Sequence, residues 1–128
     1  MVLAATSGGT DVASLGGKDW RPSFLDSNPL LPRWFSTYQE DLSTKLPTIR
    51  IPTLLLWGDS DPISPVSVGE HLASLLPCAR LYVVKAGDHD LAETHATEIA
   101  PLIDKFLAAE AQQSAPADGQ KAVLFAVG

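Results

Sequence analysis

The sequence predicts an α/β fold: about three parallel strands in one sheet, with helices and a short lid region. Three observations carry this. Leu54 to Trp57 is an unbroken apolar run that stops at Gly58 and is followed by Asp59-Ser-Asp-Pro62. A second unit of the same design, Leu81-Tyr-Val-Val followed by Lys85-Ala-Gly-Asp-His89, comes one helix later. A third apolar run, Val2-Leu-Ala-Ala-Thr6, opens the chain and is broken by Ser7-Gly-Gly. Short apolar runs bounded by turn residues read as strands buried on both faces, which is the pattern of a parallel sheet.

Taken in order, residues 2–6 form the first strand. Residues 12–33 hold Gly16, Gly17, Pro22, Pro29 and Pro32, with Trp20, Phe24, Leu30 and Leu31 between them. Irregular structure carrying large apolar side chains is the composition of a lid or of a cover over the core. Trp34, Tyr38, Leu42 and Leu46 follow helical spacing, and Pro47 ends that pattern. Ile51 to Trp57 is the central strand, with Pro52 tolerated at its start. Ser64-Pro65 reads as an N-cap followed by proline at the first helical position, and Val68, Leu72, Leu75 and Leu76 share one face of the helix that follows. Pro77 closes it, and Leu81 to Val84 is the next strand. The connection has the length of a βαβ crossover. After His89 a last helix carries the stripe Ile99, Leu102, Ile103, Phe106 and Leu107, with Pro101 either kinking its first turn or marking a late start. The domain is expected over residues 1–110, with a lid-like stretch at about 12–46 and a flexible tail at 111–128. The apolar end of that tail, Lys121-Ala-Val-Leu-Phe-Ala-Val-Gly128, is compatible with an added strand, a partner contact or a shifted reading frame.

Composition narrows the function. The 128 residues suffice for one small domain, and 45% of them are apolar, enough for a core. Net charge is −6 and the nine Lys and Arg form no stripe, so nucleic acid is not an expected partner. The single cysteine, Cys78, excludes an internal disulfide and a Cys-rich metal site, and it is expected to be a small buried residue. No run approaches a transmembrane span, and the first residues lack a basic lead-in, so no membrane partner is expected and the cytoplasm is the expected compartment.

Ligands of open α/β sheets bind outside the carboxyl ends of the strands. Two strands in one sheet would therefore deliver Asp59, Asp61 and His89 to one rim. A carboxylate that accepts a hydrogen bond from one imidazole nitrogen fixes the tautomer and leaves the other nitrogen free to act as a base. Asp61 and His89 are the candidates for this pair. Asp59 is the rival acid or a turn cap. Asp88 and Asp90 are read as turn residues, and His71 and His95 as solvated.

The run Ile51-Pro-Thr-Leu-Leu-Leu-Trp-Gly-Asp-Ser-Asp-Pro-Ile-Ser-Pro65 resembles the late strand of α/β-hydrolases that carries their catalytic acid. Leu81-Tyr-Val-Val-Lys-Ala-Gly-Asp-His-Asp90 resembles their last strand and histidine turn, and Val2-Leu-Ala-Ala-Thr-Ser-Gly-Gly9 the strand that follows the nucleophile helix. The resemblance spans residues 2 to about 107. It implies hydrolysis of an ester or related bond through a nucleophile–acid–histidine triad, with Asp61 as acid and His89 as base. It implies no cofactor and a small-molecule substrate.

The family order places the nucleophile first, in a Gly-x-Ser-x-Gly elbow. Neither Ser7-Gly-Gly nor Ser14-Leu-Gly-Gly has that pattern. The chain thus reads as the carboxyl-terminal half of the fold, and the isolated chain is expected to lack full activity. The sheet edge at residues 2–6 is expected to need a homo-oligomeric or complementary chain. Two rival readings follow from other residues. Asp59 and Asp61, or His89 with His95, are metal-ligand types, although no coherent ligand set emerges. Trp20, Phe24, Trp34 and the apolar tail would instead serve a non-catalytic interaction module or a truncated remnant.

Overall fold

The computed structural model describes residues 1–38 and 40–114. Its three-stranded parallel sheet has the order β1-β2-β3, with β1 at Val2–Ala4, β2 at Thr53–Gly58 and β3 at Ala79–Val84. Val2 lies opposite Leu54, and Gly58 lies opposite Val84. Helices α1 (Arg21–Ser27) and α2 (Trp34–Thr37) lie between β1 and β2, followed by a short 3₁₀ turn at Leu46–Thr48. Helix α3 (Val66–Leu75) joins β2 to β3, and α4 (Leu91–Thr94) and α5 (Ala96–Ser114) follow. Within the described residues, no helix is long and apolar enough to cross a membrane.

The central strand organises two layers. All six residues of β2 are buried. Successive side chains of a strand point to opposite faces. Leu55 and Trp57 therefore join Val68, Leu72 and Leu76 of the α3 layer and Leu46 of the 3₁₀ turn. Leu54 and Leu56 go the other way, to Val84, Leu91, Ile99 and Phe106. Each fully buried Leu or Val contributes roughly 1.5–3 kcal/mol relative to exposure. The α3 layer packs so closely that Gly69 sits directly on the Trp57 ring; a methyl group there would stand 2.8 Å from Cδ2.

Several expectations are corrected. Residues 12–33 are not irregular throughout: Pro22 stands in the first turn of α1, where its missing N–H costs nothing. The helix expected over Trp34 to Leu46 is only one turn long, since Tyr38 is extended, at φ −67° and ψ 126°. Polar side chains compete for the backbone here. Ser36 and Thr37 hydroxyls donate to the Arg33 carbonyl, and Asp41 accepts from the Ser43 amide and hydroxyl. Lys45 Nζ pairs with Glu40 at 2.6 Å, and this hydrogen bond holds the Glu40 carboxyl below the usual carboxylate range. Leu46 reaches the core, whereas Trp34 and Tyr38 stay exposed. Ser64 does not cap α3; Pro65 is the N-cap residue, and Ser64 turns inward. Cys78 is exposed, because it sits in the turn between α3 and β3 with only its carbonyl committed, to the Thr53 amide at 2.9 Å. In the last helix, Ile99 and Phe106 are buried and Ile103 packs beside them, but Leu107 is half exposed. Pro101 lies inside α5. Of the expected tail, residues 111–114 continue α5, and 115–128 lie outside the described residues.

The ends of β2 and β3 meet at two glycines. A Cβ on Gly58 would overlap the Gly87 carbonyl, and a Cβ on Gly87 would stand 3.0 Å from Gly58 Cα. Hydrogen in place of a side chain at Gly58 permits this approach, and the contact at Gly87 is tight. Gly58→Ala should therefore cost about 1–3 kcal/mol, the range for overpacking a tight contact. Urea unfolding should show a lower midpoint at unchanged slope; a midpoint equal to wild type would refute the contact.

Candidate active site

The site forms where β2 and β3 end side by side. The two loops that leave them are stitched by backbone hydrogen bonds: the Asp59 amide donates to the Val84 carbonyl at 3.1 Å and the Ser60 amide to the Gly87 carbonyl at 2.9 Å. Asp61 and His89 come together across this seam. His89 Nδ1 lies 2.9 Å from Asp61 Oδ2. A carboxylate oxygen accepts, so Nδ1 carries the proton and Nε2 is left as the basic nitrogen.

Asp61 is held from its own loop. Its Oδ1 accepts the amides of Ile63 at 2.8 Å and Ser64 at 2.9 Å. This is the turn in which an Asp side chain bonds backbone two and three residues on. Its side chain has no exposed surface, yet both oxygens are satisfied. The His89 side chain is 40% exposed, so it is accessible from solvent. Behind Asp61, the buried Trp57 indole donates to Ser64 Oγ at 3.2 Å. Core, acid loop and histidine are thus joined in one chain of contacts.

Asp59 does not contact His89 in the way Asp61 does. Its Oδ1 accepts the Ala86 amide at 2.7 Å and the Ser60 hydroxyl at 3.0 Å. Asp88 Oδ1 accepts the Asp90 amide at 3.1 Å, and Asp90 is the N-cap residue of α4. His95 Nδ1 pairs with Thr94 Oγ1 at 2.9 Å, and His71 lies on α3.

An open pocket of about 540 Å³ adjoins the pair, lined by Trp20, Ser23, Phe24, Ser27, Asn28, Ile63 and His89. Helix α1 and its cap residues Trp20 and Asn28 supply most of its wall. Trp20 and Phe24 stack edge to face with ring centroids 5.2 Å apart. The segment leading to α1 is tied to the acid loop and α3 by the Lys18 amide on the Pro62 carbonyl at 2.7 Å and the Ser67 hydroxyl on the Leu15 carbonyl at 2.6 Å. Sequence reasoning singled out Trp20 and Phe24 but missed Ser23, Ser27, Asn28 and Ile63. The four-residue spacing of Trp20 and Phe24, with Pro22 between them, was the available signal for a helix.

Comparison with known proteins identifies the fold family. The alpha/beta hydrolase fold family profile matches residues 13–96. A putative non-heme chloroperoxidase of Synechocystis sp. is 33% identical over 78 residues, which cover 60% of this chain and 27% of that protein. A poly(3-hydroxyalkanoate) depolymerase of Ectopseudomonas oleovorans is 41% identical over 66 residues, covering 52% of this chain and 23% of that one. Among solved structures, an alpha/beta hydrolase enzyme from the sediment metagenome of the Mar Chica lagoon, Morocco, superposes with a TM-score of 0.64 at 25% identity, over 86% of this chain and 50% of its own. A thermophilic esterase from Thermogutta terrifontis gives 0.55 at 26% identity, over 58% and 27%. The chain thus spans about a quarter of the length of the curated relatives it matches.

Among the described residues, the hydroxyl of Ser64 is the one that meets the Trp57 indole. Ser64→Ala leaves that buried N–H without its acceptor, a loss of about 1–3 kcal/mol. Chemical denaturation should show it, while Ser64→Thr should recover part of the loss; equal stability of Ser64→Ala and wild type would rule the bond out.

Proposed function

This chain belongs to the alpha/beta hydrolase fold family, and from that premise we propose that it supplies the acid–histidine half of a hydrolytic triad. One observation supports the reading above all others: His89 Nδ1 and Asp61 Oδ2 are 2.9 Å apart on adjacent strand ends. In the proposed reaction, His89 Nε2 takes the proton from a nucleophile as it attacks an ester or related carbonyl. The imidazolium so formed is stabilised by Asp61 and later returns the proton to the leaving group. Asp61 stays ionised throughout. The nucleophile and the oxyanion donors are proposed to come from residues outside these 128.

The substrate side is proposed to be apolar. Trp20, Phe24 and Ile63 face the pocket that His89 borders, which suits an acyl or alkyl group of a small molecule. The free edge of β1, which pairs only with β2 among the described residues, is the proposed contact with a second copy or a complementary chain. The proposed compartment is the reducing cytoplasm, which suits the exposed, unpaired thiol of Cys78. A second reading, an interaction module without catalysis, rests on a different observation: Leu30, Trp34 and Tyr38 are 97%, 67% and 71% exposed.

Three experiments test this. The chain by itself should hydrolyse an activated ester no faster than buffer, since the largest contributions to rate enhancement need a nucleophile and an oxyanion hole; a clear rate abolished by His89→Ala would sink that. In a chimaera where residues 1–114 replace the matching half of the Mar Chica hydrolase, His89→Ala should abolish turnover. Asp61→Asn should there lower kcat by on the order of 10⁴, because an amide N–H opposite Nδ1 enforces the wrong tautomer. Turnover that survives both substitutions would leave the interaction-module reading. Light scattering on the chain should give a dimer or larger species; a stable monodisperse monomer would count against the edge contact.

A further inference from the structure

We propose that Asp59 is a positioning residue for His89, acting through the backbone of the histidine turn. This rests on the acid–histidine reading and adds a residue to it. The ring of His89 is 40% exposed, so packing alone cannot fix it. Its placement depends on the turn that precedes it. That turn passes through Ala86, whose backbone lies in the left-handed region at φ 56°, a conformation that L side chains adopt reluctantly. The Ala86 amide donates to Asp59 Oδ1 at 2.7 Å. The next residue, Gly87, accepts the Ser60 amide and abuts Gly58.

The two loops are therefore joined by two backbone bonds and by two side chains of the same short segment. Asp61 reaches the imidazole, and Asp59 reaches the turn that carries it. The Asp61 carboxylate is fixed by the amides of its own loop. Within itself the histidine turn is held by the Gly87 amide on the Val84 carbonyl at 3.2 Å and by the Asp90 amide on Asp88 Oδ1 at 3.1 Å; the amide of Ala86, the residue with positive φ, is held from the facing loop by Asp59. The Asp-x-Asp spacing then has a division of labour: the first carboxylate sets the backbone of the base, and the second sets its ring.

The first test needs no variant. In the wild-type chain the Ala86 amide proton should resonate downfield and move upfield on acid titration as its carboxylate partner is protonated; a shift that is flat with pH overturns the proposal. The second test compares Asp59→Asn, which keeps an oxygen acceptor for Ala86, with Asp59→Ala, which removes it. In Asp59→Ala the His89 Nδ1–H signal should broaden and exchange at least tenfold faster, and Asp59→Asn should restore it. In the chimaera, Asp59→Ala should lower kcat roughly tenfold to a hundredfold, within the effect of a small misplacement, with KM little changed, and Asp59→Asn should recover most of it. Equal behaviour of the two variants overturns the proposal. Asp61→Asn separates this from the parent reading. If it leaves the His89 signal unaltered, the acid–histidine pair itself is refuted, whereas the Ala86 titration still reports on Asp59 alone.

Discussion

The contact between Gly58 and Gly87 is the constraint on which the site depends. The end of β2 and the turn after β3 approach until backbone touches backbone, which the absence of a Cβ on Gly58 allows. At that separation the amides of Asp59 and Ser60 find carbonyls on the opposite loop at 3.1 and 2.9 Å. Side chains leaving these loops are then already within reach of one another. The 2.9 Å distance between Asp61 and His89 is a consequence of that seam as much as of any attraction between the two groups.

The seam in turn depends on β2. A strand buried on both faces places its carboxyl end rigidly, because each side chain is locked into a different layer. Trp57 does this most directly. It is fully buried against the α3 layer, and its indole N–H reaches Ser64, whose amide holds the Asp61 carboxylate. A core residue and the acid are thus separated by a single serine. Packing energy spent in the core appears at the rim as positional precision.

Much of this was legible in the sequence, and for physical reasons. A strand buried on both faces leaves an unbroken apolar run, so β2 was read nearly to its ends, and Gly58 marked where it stops. The apolar run of β3 was also read, but that strand was expected to be buried on both faces and instead exposes Arg80, Tyr82 and Val83. Helices α3 and α5 showed their stripes, although Ser64 was misassigned, because a serine before proline fits both a cap and an inward-turned acceptor. The stretch between β1 and β2 was read least well. There, Trp34, Tyr38, Leu42 and Leu46 have helical spacing, but the hydroxyl and carboxylate groups between them bond the backbone locally and break the helix. Cys78 was misplaced because composition says nothing about which side of a turn faces water. The pairing of Asp61 with His89 was readable as an order of motifs; the bond from Asp59 to Ala86 was not, since it joins residues far apart in sequence through a backbone group.

The acid loop has a property that bears on how such a site is assembled. A fully buried carboxylate is costly unless its oxygens accept hydrogen bonds. Here Oδ1 takes two amides of its own loop and Oδ2 takes the imidazole. Both oxygens thus have partners without any group from a nucleophile segment. The loops that leave β2 and β3 therefore hold Asp61 and His89 together by their own contacts, and leave the His89 side chain 40% exposed. A triad built this way divides into two parts that are organised separately. On the proposed reading, the other part would bring a hydroxyl within hydrogen-bond reach of His89 Nε2. The contact of Nδ1 with Asp61 leaves Nε2 as the nitrogen that would receive its proton.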